Sequence, residues 1–535
     1  MRRFLAAIVA LSLLLTACSS SRQKAESQPT NAGGQAATKK APSVLVIGSG
    51  QDVSNLDPHT GYDYAIRAIQ RNTYDALFKY EGPQAKIIPW LAESFEASSD
   101  AKTYTIKLNK KAKFQNGDPV DAESVKFSFN RMITLKKGIS WMFTGVMDVN
   151  SVQVVDPQTV KITLTKPYSP FISTLPWLWI ANPKEVKAHE VGGDAGEGWL
   201  KEHSAGSGPF KIKRWEPGTL YEVEADPNYW RGWGNEHLDS VIWKIIRESQ
   251  SQKLALQKGE IQFALNLSPE DFDQIKSDKS IATVEEPGFR GFYVKMNTTN
   301  GPTADVHVRR AISYAMDYEA MIKATNGHAK LLQGAIPVGL EFQDPKLEVY
   351  RKNLDKAKAE LAQSKYPKGG FDLEYVYVTG LEVERQHGLI LLDALKALNI
   401  NLKITPMVWP DLVAKAKTGE TQPNMYAVYQ TANYNDPDNA VFPAYHSSQK
   451  GTWSAGSYSS AEVDKLIDKA RGTIDKNERQ AAYSTLQKKL VEDAPDLYGT
   501  QETVIFAFRP ELGGYVFTPL ASNAFDFYPL FLKSK

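Results

Sequence analysis

Cys18 is the only cysteine among 535 residues, and this removes two ways of holding a fold together. No disulfide can close a loop of the chain, and no cysteine-based zinc site can form. Stability must come from buried apolar area. A hydrophobic content of 42% with 23% charged residues is enough for packed cores. At ~100–200 residues per domain the length predicts roughly two to four of them. The formal charge is only +2, which gives no reason to expect nucleic acid or an anionic surface as partner.

The position of that cysteine carries a second message. Arg2 and Arg3 precede an apolar run from Phe4 to Leu15, too short for a bilayer span of ~20 residues but suited to a secretory signal. The run ends at Leu15-Thr16-Ala17-Cys18, which resembles the lipobox of bacterial lipoproteins. The expectation is a signal peptide over residues 1–17 and lipidation of Cys18, where two acyl chains anchor far more firmly than one. Residues 19–42 are rich in Ser, Gln, Ala, Gly and Lys and cannot bury enough surface to order themselves, so residues 18–43 read as a lipidated tether. No later stretch approaches a transmembrane length.

From Val44 the chain mixes strands and helices. Val44–Ile47 is a strand, and a helix follows from about Tyr62 to Ala76. Asp121 is placed to cap a helix from Ala122 to Met132. Residues 151–155 and 159–164 form a hairpin about an Asp-Pro turn, and further strands fall at 210–215, 220–224, 241–246 and 260–263. A helix over 252–258 ends at Gly259. Val308, Ala311, Ile312, Ala315 and Met316 trace one apolar helix face. The order strand 371–378, helix 387–398, strand 402–406 predicts a parallel crossover. Val463, Leu466, Ile467 and Ala470 mark one amphipathic helix, and Tyr483, Leu486 and Leu490 another. Eleven Trp and 24 Tyr exceed what a core requires and hint at ligand contact.

Catalytic signatures are missing. The eight histidines are scattered, with no His-Glu-x-x-His, Gly-x-Ser-x-Gly or P-loop. Gly48-Ser49-Gly50 lacks the third glycine of a dinucleotide turn. Asp436-Pro437-Asp438 lacks the glycine and distal glutamate of a calcium loop. The stretch from Tyr429 to His446 is the densest in aromatics and amides, with Tyr429, Asn433, Tyr434, Asn435, Asn439, Phe442 and Tyr445 around that turn. This is the composition of a recognition surface.

Nine blocks in order complete the reading. They are SNLDPH (54–59), WLAESFE (90–96), KFQNGDPVDAESVKFS (113–128), SGPFKI (207–212), NYW with LDSV (228–241), ALQKGEI (255–261), VRRAISYAMD (308–317), NYNDPD (433–438) and EVDKLI with AR (462–471). Together they resemble the bacterial extracellular solute-binding proteins of the oligopeptide, dipeptide and nickel type, family 5, the receptors of ABC importers. The resemblance implies an α/β fold of class II periplasmic-binding-protein type: two lobes joined by a hinge, with an additional peripheral α+β domain. Lobe I would comprise residues 44–75, 199–288 and 504–535, the peripheral domain 76–198 and lobe II 289–503. Closure on the ligand would be a hinge motion.

The resemblance also directs attention to site residues. Tyr62, Asp63 and Tyr64 follow the Asp-Pro-His turn, and Trp409 follows the strand 402–406. Asn433 stands where peptide-binding members carry an aspartate that pairs with the ligand's α-ammonium, and Gln430 where a tryptophan is common. The candidate ligand set is completed by Tyr434, Asn435 and Gln501. An amide offers an oxygen but no counter-charge for a buried cation, although Asp63 or Asp436 could take that part. Asn433→Asp is accordingly expected to improve peptide affinity relative to sugar. The function implied is an exported receptor, lipid-anchored and facing the periplasm or the cell exterior. It would be a monomer that delivers an oligopeptide or related small solute to an ABC permease and its ATPase complex. A receptor for a neutral oligosaccharide or glycoside, stacked on Trp409, Tyr434 and Tyr445, is the alternative, and a hydrolytic enzyme a third. No metal, cofactor or nucleic acid is expected.

Overall fold

The computed structural model describes residues 42–53, 55–61, 64–521 and 526–533, except the side chains of Tyr64, Ala65 and Ala521. The expected signal peptide, Cys18 and the expected tether as far as residue 41, and Tyr62 and Asp63, lie outside the described residues.

Strand β1 (Val44–Ser49) leads into helix α1 (Tyr64–Thr73). The hairpin β2 (Phe78–Glu81) and β3 (Lys86–Pro89) follows. Strands β4 (Ala92–Ala97), β5 (Thr103–Leu108), β6 (Val152–Asp156) and β7 (Thr159–Thr163) form a separate antiparallel sheet in the order β4-β5-β7-β6. Helix α2 (Ala122–Leu135) belongs to this region, and the Asp121 side chain accepts from the Ser124 N–H, which would otherwise be an orphan donor of the first turn. The chain then adds β8 (Phe210–Glu216), β9 (Leu220–Ala225), β10 (Ser240–Ile245) and β11 (Phe263–Ala264) around β1. Leu45, Ile47, Phe210, Tyr221, Val223 and Trp243 form their core. The strand expected over 260–263 shrinks to two residues because Gly259 ends the preceding helix in the left-handed region (φ 75°), and Glu260 N–H still turns back to the Ala255 carbonyl.

Two long strands unite the large sheet. β12 (Ala282–Met296) and β17 (Asp496–Phe508) run antiparallel through both of its halves. One half continues from β17 through β11, β1, β10 and β9 to β8. The other holds β14 (Phe371–Val378), β15 (Ile400–Met407) and β16 (Met425–Thr431) beside β12, while β13 (Ala329–Leu331) covers β17. β14 and β15 are parallel and joined by the helix Glu382–Lys396, the crossover that the hydrophobic pattern predicts.

The ladder between β12 and β17 is broken midway. Between the pairs Pro287–Thr503 and Gly291–Gln501, β12 advances four residues against two. Pro287 has no N–H to give a ladder. A Cβ on Gly288 would sit 2.8 Å from Val504 Cγ2, and one on Gly291 2.7 Å from the Tyr293 ring. Both positions require a glycine for close approach.

The small sheet and the helices that follow β16 share one apolar core. Tyr104, Phe129, Tyr168 and Leu178 belong to the same cluster as Tyr434, Val463, Tyr483 and Leu486.

Candidate functional site

After β16 the chain turns sharply. Asp436 N–H donates to the Tyr434 carbonyl (2.8 Å) and Asp438 N–H to Asp436 Oδ1 (3.0 Å), side-chain turn bonding that aspartate provides. The helix Asp438–Tyr445 starts inside the Asp-Pro-Asp sequence, so the stretch expected as one recognition loop is strand end, turn and helix. Asp436 is buried and takes Arg479 Nη2 at 2.7 and 2.8 Å, with the Tyr483 hydroxyl at 3.3 Å. Asp438 is equally buried, between the hydroxyls of Tyr434 (2.9 Å) and Tyr168 (3.1 Å) and Arg471 Nε (3.1 Å). These aspartates are already partnered by arginines, which explains the turn without a calcium ion.

Asn433 faces the other way. Its carbonyl accepts from Trp177 Nε1, its N–H donates to Asn439 Oδ1, and its amide nitrogen donates to the Thr431 carbonyl. Its side-chain oxygen accepts from Arg67 Nη2 on α1 at 3.2 Å. The Arg67 guanidinium lies 4.7 Å from the Trp177 ring centroid, a cation–π arrangement. Asn435 N–H donates to the Tyr80 hydroxyl, and its amide nitrogen to the carbonyls of Gln84 and Ala85. Residues 433–435 therefore form a strip that meets α1 and the β2–β3 hairpin.

The loop entering α1 is itself fixed from behind. Arg131 donates to both carboxylate oxygens of Asp57 (2.8 and 2.6 Å). His59 Nε2 is 2.9 Å from the Trp179 carbonyl. That oxygen only accepts, so Nε2 carries the proton, and bare Nδ1 accepts from Arg131 Nη1 (3.0 Å). Burial, reinforced by the Arg131 charge, lowers the His59 pKa to about 4, which keeps the ring neutral.

Two cavities open beside the crossing strands. One, of about 520 Å³, has Asn266, Arg290, Thr431 and Glu502 in its lining; the other, of about 590 Å³, has Gln84, Pro287, Lys330, Val338 and Gln501. Arg290 pairs with both Glu502 oxygens at 3.2 Å and stacks 4.0 Å over the Tyr429 ring. Gln501 is buried, and its amide is fully used: Nε2 donates to the carbonyls of Gly288 (2.8 Å) and Val338 (2.9 Å), and Oε1 accepts from Val338 N–H (2.8 Å). It bolts the interrupted ladder.

Residues 86–452 match the bacterial extracellular solute-binding proteins, family 5. The chain belongs to this family. It is 30% identical over 492 residues to the probable D,D-dipeptide-binding periplasmic protein DdpA of Escherichia coli K12, covering 90% of this chain and 93% of that protein. It is 29% identical to the dipeptide-binding protein of the same strain over 477 residues, 85% and 88% of the two chains. Among solved structures, DppA of Helicobacter pylori in complex with the peptide STSA superposes with a TM-score of 0.75 at 25% identity, covering 92% of this chain and 98% of that one. HbpA2 of Haemophilus parasuis gives 0.82 at 24%, covering 92% and 100%, a likeness of fold. A family-5 chain is a binding protein, not an enzyme, with a periplasmic-binding-protein fold and an extra small antiparallel sheet.

For this family member the sequence-derived residues fall into separate groups. Asn433 and Asn435 line the strip facing α1. Gln430 Nε2 lies 3.5 Å from Ser454 Oγ, beside Trp453, against whose ring Trp409 stands edge-on at 5.2 Å; Trp409 is 39% exposed. Tyr434 is buried behind the strip, with its hydroxyl bonded to Asp438. Tyr445, suggested above as a stacking face for a sugar, is fully buried and donates to Asp496; its ring packs in the core. Tyr62, Asp63 and the Tyr64 side chain lie outside the described residues. Sequence reasoning missed Arg67 and Trp177. Trp177 follows Pro176 in a short proline–aromatic stretch, but nothing local pointed to Arg67.

Proposed function

We propose that this chain is the substrate-binding lipoprotein of an ABC importer, anchored through Cys18 outside the cell membrane, which captures a short peptide or peptide-like solute and hands it to a permease. The dipeptide and D,D-dipeptide assignments carried by its relatives support a small peptide-like ligand. We place the lobe boundaries at 288/289 and 503/504, beside the interrupted β12–β17 ladder, and the ligand between α1 and the Asn433 strip. The ligand-facing set is then Tyr62, Asp63, Tyr64, Trp409, Gln430, Asn433 and Asn435, with Arg67 and Trp177 added. Tyr434 and Gln501 act behind it, the first positioning the strip and the second the hinge.

The observation that carries the ligand class is the bond from Arg67 to Asn433. Where the family resemblance puts a carboxylate facing an ammonium, this chain has an amide facing a guanidinium. An uncharged or anionic end of the solute, as in an acylated peptide, suits this pair at Asn433. The second reading, a neutral oligosaccharide, is favoured by the exposure of Trp409 beside Gln430. A thermal-shift screen of short peptides, their N-acetylated forms and oligosaccharides tests both, because a ligand bound only by the folded state raises the melting temperature by mass action. A shift with N-acetylated peptides supports the first reading and a shift with sugars alone the second. No shift with any class at millimolar concentration contradicts the receptor itself.

A further inference from the structure

Away from Asn433, a cavity of about 380 Å³ is enclosed by the end of α1, the β2–β3 hairpin and residues 514–518 and 526–530. This lies at the low end of the ~300–1,000 Å³ usual for small-molecule sites. Its polar wall holds two buried cations. Among the described residues the Lys79 ammonium has one acceptor, Asp526 Oδ2 at 3.5 Å, and it sits 3.8 Å over the Trp90 ring. Arg71 Nη2 donates to the Tyr80 carbonyl (3.1 Å) and stands 3.7 Å from Asp526, while its buried Nε has no partner among the described residues.

The neighbouring carboxylate does not make up the shortfall. Asp75 is saturated by four neutral donors: Trp90 Nε1 (2.7 Å), Trp230 Nε1 (2.8 Å), Ser207 Oγ (3.1 Å) and the Tyr229 hydroxyl (3.2 Å). Eight N–H donors, three on Lys79 and five on Arg71, therefore share few protein acceptors in a place where an unmet donor is costly. Opposite them the walls are apolar or aromatic, with Ile88, Tyr515, Val516 and Leu530. Asp526 and, less closely, Asp75 offset the positive charge, and Glu81 lies exposed at the rim, so what the cavity lacks is acceptors for the spare donors, which an acceptor-rich head of a single negative charge supplies.

We propose that this cavity is a second binding site, separate from the interlobe cleft, for a small monocarboxylate with an apolar or aromatic body. The carboxylate takes the spare donors of Lys79 and Arg71, and the body lies against Tyr515 and Leu530. Titration calorimetry of the full chain with phenylacetate, and with phenylacetamide as the uncharged control, tests this. The expected result is one site for phenylacetate, weakened about tenfold or more by Lys79→Met, as for loss of a charged hydrogen bond. Val516→Trp, at a rim position 62% exposed, blocks the same site without touching the core, and it decides the matter if Lys79→Met does not fold. Asn433→Ala leaves phenylacetate binding unchanged. The proposal is overturned by no heat at millimolar phenylacetate, by equal binding of phenylacetamide, or by binding that survives Val516→Trp and disappears in Asn433→Ala.

Discussion

Arg67 Nη2 donates to Asn433 Oδ1 across 3.2 Å, although the two residues are 366 positions apart in sequence. The contact joins α1 to the turn after β16 and puts a guanidinium against position 433, where the family resemblance implies an aspartate. A carboxylate introduced at position 433 would be drawn to that guanidinium in a charge-assisted bond, so it would not stand open to the ligand.

This revises the sequence-based expectation for Asn433→Asp. Alone, it should change affinity for free-amine peptides by less than about threefold, since Arg67 neutralises the new charge. Combined with Arg67→Gln it should raise that affinity by about tenfold or more, the scale of a charge-assisted hydrogen bond. Calorimetry on the two single variants and the double variant measures the coupling; equal gains with and without Arg67 would refute it.

Asp436 is a structural anion. Replacing it by Asn leaves Arg479 buried with its partner charge gone, which costs about 3–5 kcal/mol for a buried pair. Denaturant unfolding of Asp436→Asn should show a loss of that order, while the ranking of ligands stays as in the wild type. A change in ranking would place Asp436 in the ligand shell instead.

The hydroxyl of Tyr168 ties the small-sheet region to Asp438 (3.1 Å) and to the Tyr434 hydroxyl (3.2 Å). Tyr168→Phe removes only that hydroxyl. It should lower stability by about 1.5–3 kcal/mol, the cost of a hydrogen bond to a buried charged group, and an unchanged denaturation midpoint would show that the bond is dispensable.

Acid should destabilise the fold through two buried histidines. Burial lowers His59 and His387 to about 4 from 6.5. The unfolded chain therefore binds more protons than the folded one between these values. The stabilisation is complete above pH 6.5 and is lost as the pH falls toward 4, by about 3 kcal/mol per histidine. Glu384 works the other way: burial raises it to about 7, so its contribution is largest below 4.5 and declines as the pH rises through 7. Stability measured from pH 7 to 4.5 should fall less steeply in His59→Gln and in His387→Gln than in the wild type. Parallel curves would remove histidine from the explanation.

Much of the scaffold was legible because its signals are local. The spacing of Val308, Ala311, Ile312 and Ala315 gave the helix Val306–Ala315, and the order of apolar runs gave the β14–β15 crossover. The site was less so. Aromatic density around Tyr434 and Tyr445 pointed to a recognition surface, yet both rings are buried with their hydroxyls bonded to carboxylates. Composition cannot tell a ring that awaits a ligand from one whose polar end is already satisfied. Gln501 likewise offered amide chemistry to a ligand in sequence, and in the structure gives all of it to Gly288 and Val338. Arg67 was invisible because its significance depends on a partner brought near only by the fold.

The most direct test of the account is calorimetry of the wild-type chain with one dipeptide in two forms, free-amine and N-acetylated. The account predicts that the acetylated form binds more tightly, by about tenfold or more, because its amide meets Asn433 and Arg67 without burying a second cation. Tighter binding of the free amine would contradict it.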